Sequence, residues 1–128
     1  MFQNLFGIHE NALLLHGRRM SVLATNLANA DTPDYKARDI DFAAVLGGTE
    51  EATLPMSATQ PAHVASAPDP VGTANLQYRN PYQASLDGNT VEMPVEQAAF
   101  AENNVRYQAS LTFVNVQIAE LTLAINGQ

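Results

Sequence analysis

Residues 26–42 read Asn-Leu-Ala-Asn-Ala-Asp-Thr-Pro-Asp-Tyr-Lys-Ala-Arg-Asp-Ile-Asp-Phe, and this stretch decides where the first helix stops. Two asparagines, Asn26 and Asn29, fall in what the preceding pattern predicts to be the last turn of an apolar helix. The chain then breaks at Asp31-Thr32-Pro33, because proline forces the residue before it out of helical geometry. An amide in a last helical turn can bond to exposed carbonyls or to a backbone entering beside it. Asp31 or Thr32 can anchor the turn through a side-chain oxygen, and Tyr35 offers a ring for packing and a hydroxyl for a bond. The stretch therefore reads as a corner that turns a helix into an extended strip.

N-terminal to the corner, no proline occurs from about residue 4 to 30, and the apolar residues form two stripes of seven-residue spacing. Phe6, Leu13, Met20 and Leu27, with Leu23 beside them, make one; Ile8, Leu15 and Val22 make the other. A helix on the outside of a compact domain normally shows a single stripe, so two predict neighbours on two sides. In the C-terminal third, Phe100, Tyr107, Leu111, Val114, Ile118, Leu121 and Ile125, with Asn104 at the one polar position, give a 4-3 alternation over about four heptads, which is a coiled-coil seam pattern. Asn126-Gly127 is a suitable stop for that helix. Pro94 suits a first helical position, with Met93 a weak cap before it.

Between the helices, residues 47–86 are rich in Gly, Pro, Ala, Thr and Ser without a sustained period, which predicts irregular or extended chain. Asn75 to Tyr82 could pair as a short strand, and Asp87-Gly88-Asn89 reads as a tight turn. The expected fold is mainly α: long N- and C-terminal helices paired as a coiled-coil core, with room for short β-strands in the middle. As one structural domain it divides into residues 1–46, helix and corner; 47–86, irregular segment; and 87–128, the C-terminal helix.

The chain has 128 residues, no cysteine, and six basic against thirteen acidic side chains, for a net charge of -7. That balance repels a nucleic acid backbone, and the missing cysteines exclude disulfides and thiolate metal sites. No segment approaches the roughly 20 apolar residues of a membrane span. The opening residues lack the basic leader and unbroken apolar run of a cleaved secretory signal. His9 and His16 are seven apart, not the usual four of helical ligand pairs, so no metal site is expected. Asp31, Asp34, Asp39 and Asp41 lack the order of a calcium loop and read as solvated or capping carboxylates. Arg18, Arg19, Lys36 and Arg38 are the one basic concentration, suited equally to local ion pairs or to an acidic neighbour. No catalytic set, phosphate-binding loop or cofactor motif is evident.

Two helices alone leave about half of each surface wet, and here both carry apolar residues beyond one stripe. Burial of a large apolar side chain contributes roughly 1.5–3 kcal/mol, against about 1–2 kcal/mol of backbone entropy per ordered residue. A chain of this kind is expected to complete its core beside other chains, in an open array or a closed oligomer.

The stretch NLANADTPDY resembles the N-terminal signature of bacterial flagellar rod and hook proteins, which runs asparagine, two small or apolar residues, asparagine, and then Thr-Pro-Gly-Tyr. The continuation KARDIDF, with SLDGNTVEMPVEQAAFAENNVRYQASLTFVN near the other end, narrows the resemblance to the proximal rod branch of that family. The resemblance implies a structural subunit of the basal-body rod, with no catalytic duty and no cofactor, whose terminal helices pair and whose copies stack into a tube. It implies assembly with other copies, with the rod proteins FlgC, FlgF and FlgG, with the adaptor FliE, and with the ring protein FliF and the export gate. It further implies passage through the flagellar type III system without a cleaved signal peptide. Asn26, Asn29, Thr32, Pro33 and Tyr35 fall on the signature corner. Asp34 departs from the signature, standing at its glycine position, where a type II turn wants positive φ; a type I turn is the expected accommodation. An export-linked adaptor or chaperone is the alternative function.

Overall fold

The computed structural model describes residues 7–45 and 76–127. Phe6 of the first stripe and the irregular character expected of residues 47–75 lie outside them. Four elements carry the fold: helix α1 (Gly7–Ala28), strand β1 (Arg38–Ile40), strand β2 (Leu76–Tyr78) and helix α2 (Met93–Asn126). At 1.5 Å per residue the helices run about 33 and 51 Å. They pack antiparallel, as Asn26 meets Glu96 at one end and His9 stacks on Phe113 at the other. Roughly 20 Å of α2 extends beyond that last contact. The fold is the expected one: mainly helical, terminal helices packed together, with a short ribbon between.

Proline and glycine set the limits of α2. Pro94 occupies its first turn, and Gly127 closes it in the left-handed conformation, φ 70°, donating to the Leu123 carbonyl at 3.0 Å. Glu92 is the residue before the helix, yet its side chain makes no capping bond. Its carboxylate instead accepts the backbone N–H groups of Tyr82 and Gln83, tying the helix start to the chain that leads into it.

The two stripes of α1 do meet neighbours on two sides, and both belong to this chain. Leu23 of the first stripe is fully buried, with Leu13, Met20 and Leu27 half-buried beside it, and His9 and His16 of α1 meet Phe113 and Asn103 of α2. Leu15 and Val22 of the second stripe pack with Ile40, Phe42 and Val45 from the chain after the corner. Ile8, the first residue of that stripe, stays exposed.

On α2 the seam is rotated from the one its apolar residues predict. Phe100, Tyr107, Val114 and Leu121 are half-buried as expected. The residues that alternate with them on the inner face are Glu96, Asn103 and Ser110, the buried positions of the helix. Asn104, Leu111, Ile118 and Ile125 are exposed. For Asn104 and Leu111 the reason is hydrogen bonding: Asn103 and Glu96 find partners on α1 and the corner, and those bonds fix the helix's rotation; Ile118 and Ile125 lie on the length of α2 beyond its last contact with α1. The buried set of the described residues accordingly holds four apolar residues and six polar ones, so specific polar bonds carry much of the cohesion.

β1 and β2 pair antiparallel, Arg38 opposite Tyr78 and Ile40 opposite Leu76. This strand lies within the stretch from Asn75 to Tyr82 where one was expected.

Candidate functional site

Three amide side chains, Asn26, Asn29 and Asn89, organise the corner. Asn26 sits in the last turn of α1 and is fully buried. A carboxamide offers two N–H donors and an oxygen with two lone pairs, and all four are used. Nδ2 donates to the Arg38 carbonyl at 2.7 Å and to Glu96 Oε2 at 3.1 Å. Oδ1 accepts the Arg38 N–H at 3.1 Å and the Tyr35 hydroxyl at 3.3 Å. Leucine there would strand every one of these groups.

Asn29, one residue beyond the helix, closes the turn. Its Nδ2 donates to the Thr25 carbonyl at 2.8 Å, and its Oδ1 accepts the Thr32 hydroxyl at 3.1 Å. Thr32 thus anchors the turn through its side-chain oxygen, and Pro33 stands exposed at its tip. Asp34 is in the left-handed region, φ 60°. The expected type I accommodation does not occur: the glycine conformation of the signature is kept, at the strain an aspartate bears there.

The corner is completed from the far end of the chain. Asn89, buried in the loop before α2, directs its Nδ2 at three carbonyls, those of Asn29, Ala30 and Thr32, at 3.0, 2.8 and 2.9 Å. These carbonyls belong to the turn that follows the helix, and those of Asn29 and Thr32 also accept the N–H groups of Thr32 and Tyr35. The Asp34 N–H donates to the Asp87 carbonyl at 2.9 Å, the Thr90 N–H to the Tyr35 carbonyl at 3.0 Å, and the Ala37 N–H to the Thr90 hydroxyl at 2.7 Å. Gly88 is required where it stands, since φ is 75° and a Cβ would lie 2.8 Å from Asp34 Oδ1. Asp87 is held below the usual carboxylate range by the Ser85 hydroxyl and the Asn89 N–H. The stretch that ends α1 and the stretch that precedes α2 are thus one structural unit.

Beside it lies a charge network. Arg19 of α1 grips Asp39 with two bonds, at 2.8 and 3.0 Å, and Arg79 joins Asp39 to the buried Glu96. Burial pushes the Asp39 carboxyl up, but the bonds from Arg19, the Ile40 N–H and Arg79, with the Arg19 charge, hold it below its ordinary range. Arg19 is raised by its bond to Asp39 against the opposing effect of burial. Asp39 is therefore neither solvated nor a cap, in contrast to the sequence expectation; Asp41 does cap, accepting the Ala44 N–H at 3.2 Å. Of the basic group, Lys36 pairs with Asp34 at 3.3 Å and Arg38 lies over the Tyr78 ring at 5.3 Å.

The histidines serve packing and register. His16 Nδ1 lies 3.0 Å from Asn103 Oδ1, while Asn103 Nδ2 donates to the His16 carbonyl at 2.8 Å. The carbonyl can only accept, so it fixes the amide's orientation, and the ring must then donate from Nδ1. Among the described residues no group of three or more His, Asp or Glu is placed to hold a metal ion, and no helix is long and apolar enough to cross a membrane.

Sequence reading found the asparagines of the corner but missed Asn89, Asn103, Glu96 and Arg79. The signal for two of them was present: Glu96, Asn103, Ser110 and Gln117 form a polar stripe of seven-residue spacing alongside the apolar one.

A corner braced at both ends of the chain, beside a long helix with much apolar surface outside, is the architecture of a structural subunit. The profile of a family described as flagella basal body rod protein matches residues 6–36, which include all of α1 and the first part of the corner. Relatives named flagellar basal body rod protein FlgB extend the match along the chain. That of Cereibacter sphaeroides is 48% identical, covering 99% of this chain and 98% of the relative. That of Proteus mirabilis is 44% identical, covering 93% and 91%, and that of Escherichia coli 48%, covering 85% and 83%. The chain belongs to the FlgB family of flagellar basal body rod proteins.

Proposed function

We propose that this chain acts as a structural subunit of the proximal rod of the bacterial flagellum, linking the membrane ring and export gate to the rest of the rod and so transmitting torque. The family supports the rod and the basal-body location. The observation that carries the reading in the molecule itself is the apolar surface left outside the helix pair. Val105, Leu111, Phe113, Val116, Ile118, Leu123 and Ile125 of α2 are 39–83% exposed, and scattered single residues would need no explanation, whereas this many on one helix calls for a covering surface.

On this reading the cover is supplied by other basal-body components: further copies, the rod proteins FlgC, FlgF and FlgG, the adaptor FliE and the ring protein FliF. Leu111, Ile118, Leu121, Ile125 and Asn104 face those neighbours, while Phe100, Tyr107 and Val114 serve the pairing within the chain. Residues 1–46 and 87–128 act as one core domain, and the subunit reaches its place through the flagellar type III apparatus without a cleaved signal.

The test is to mix the purified chain with the adaptor and neighbouring rod proteins and to follow sedimentation, together with mass spectrometry of isolated basal bodies. Large assemblies and presence in the basal body are expected. A discrete soluble complex absent from basal bodies would replace this reading with that of an export-linked adaptor.

A further inference from the structure

The end of the helix pair nearest the corner is held by charges from four separate stretches of chain. Glu96 on α2 is fully buried, bonded by the Asn26 amide and the Arg79 guanidinium. Arg79 directly follows β2, and it also reaches Asp39 of β1, which Arg19 of α1 already holds. Among the described residues Arg79 is the cation paired with Glu96. A carboxylate buried without its cation is strongly destabilising.

The corner bonds of Asn89 and Thr90 hold the loop that leads into α2; past that loop, the side chains of α2 that bond to α1 are Glu96 and Asn103. The buried positions of α2 are all polar, so α2 adheres to α1 through particular bonds more than through apolar area. The ribbon pairs only three residues on each side, every residue of β2 is exposed, and a two-stranded ribbon alone is marginal in water. Besides that pairing, the strand is held by Arg79, through its side-chain ion pairs and its N–H bond to the Ala37 carbonyl at 2.9 Å, and by two exposed contacts, the Gln77 amide donating to Asp41 Oδ2 at 3.3 Å and Arg38 over the Tyr78 ring.

We propose that the segment Leu76–Arg79 is a latch. While it is docked, Arg79 lies between Asp39 and Glu96 and the facing ends of α1 and α2 are held together; when it leaves, Glu96 loses its cation and the first turns of α2 loosen from α1, while the loop before them stays on the corner. Ribbon docking and helix pairing are one cooperative event. The inference rests on this geometry alone and stands whatever the chain assembles with.

Amide hydrogen exchange on the full chain tests it, comparing the unaltered protein with Arg79→Met, Glu96→Gln and the double variant. In Arg79→Met, exchange is expected to rise roughly ten-fold or more in residues 19–28 and 93–103 together with the ribbon. Adding Glu96→Gln, a neutral amide that needs no cation and still accepts from Asn26, is expected to bring the helices back to within about three-fold of the unaltered chain. Faster exchange confined to residues 38–40 and 76–78 would overturn the latch, as would a double variant that exchanges as fast as Arg79→Met. If Arg79→Met does not fold, folding of the double variant supports the latch and its failure to fold overturns it.

Discussion

The side chain of Asn26 pairs with the backbone of Arg38 as a neighbouring strand would, giving an N–H to its carbonyl at 2.7 Å and taking its N–H at 3.1 Å. One residue thus satisfies the inner edge of β1, where a backbone pair left unbonded in a buried place is penalised. Asn26→Leu should destabilise the chain by about 2–4 kcal/mol, because it strands several buried partners at once. Asn29→Leu loses two exposed bonds and should cost about 0.5–1.5 kcal/mol with helicity unchanged. Urea midpoints of the two variants check the order; equal losses would remove Asn26 from its central role.

Gly17 lies inside α1, where glycine is unfavourable, and its position faces Tyr107. A Cβ there would meet Tyr107 Cε2 at 3.8 Å, an ordinary contact. Gly17→Ala should therefore stabilise the chain by about 0.5–1 kcal/mol. A lower melting temperature would mean that the helices approach more closely at this point than the structure has them.

Asp34 and Gly88 face each other across the corner with φ of 60° and 75°, and their substitutions should act in opposite directions. Asp34→Gly relieves a left-handed aspartate and gives up only an exposed pair with Lys36, for a gain of about 0.5–1 kcal/mol. Gly88→Ala meets both an unfavourable φ and the Asp34 carboxylate, and should lose about 1–2 kcal/mol. Combining the two changes tests the contact itself: with Asp34 gone the penalty at Gly88 should shrink, and a purely additive result would assign it to backbone strain alone.

The lowered Asp39 carboxyl predicts an acid limb in stability. An unfolded aspartate takes its proton near pH 3.9, and the folded one only below that. Above the unfolded value both states are ionised and the stabilisation is fully present. As pH falls through about 3.9 the unfolded state binds the proton first, so stability declines until the folded carboxyl protonates as well. Asp39→Asn should lower stability at neutral pH and flatten this limb. Denaturation midpoints measured from pH 6 down to pH 2.5 decide it, and an unchanged limb would place the sensitivity in other carboxylates.

The helices and the corner were legible because they rest on local signals: the heptads of α1, the proline at 33, the glycine at 127. The role of Asn26 followed from a single question, why an amide stands in an apolar helix end. What was not legible depends on pairings distant in sequence. Asn89 meets the corner 57 to 60 residues away, and Arg79 meets Asp39 at a separation of 40; no local pattern names such partners. The rotation of α2 was misjudged for a different reason. Periodicity ranks residues by apolarity, but here the inner face belongs to Glu96, Asn103 and Ser110, whose burial depends on bonds that pattern reading does not count.

That rotation gives the surface of α2 two separable roles. Leu123 is 56% exposed, so Leu123→Asp should change the stability of the isolated chain by no more than about 0.5 kcal/mol. Tyr107 on the same helix is half-buried against α1 at Gly17, and Tyr107→Asp should lose about 1–3 kcal/mol by bringing a carboxylate into a partly buried seam. Were the outer face idle, the Leu123 variant would assemble and support motility normally. If neighbours cover it, a charge at Leu123 is buried in every copy and rods fail to form although the subunit folds. Thermal melts of the purified variants, set against motility and the yield of basal bodies, separate the two, and normal rods from a stable Leu123→Asp chain would leave the outer apolar surface without its assigned purpose.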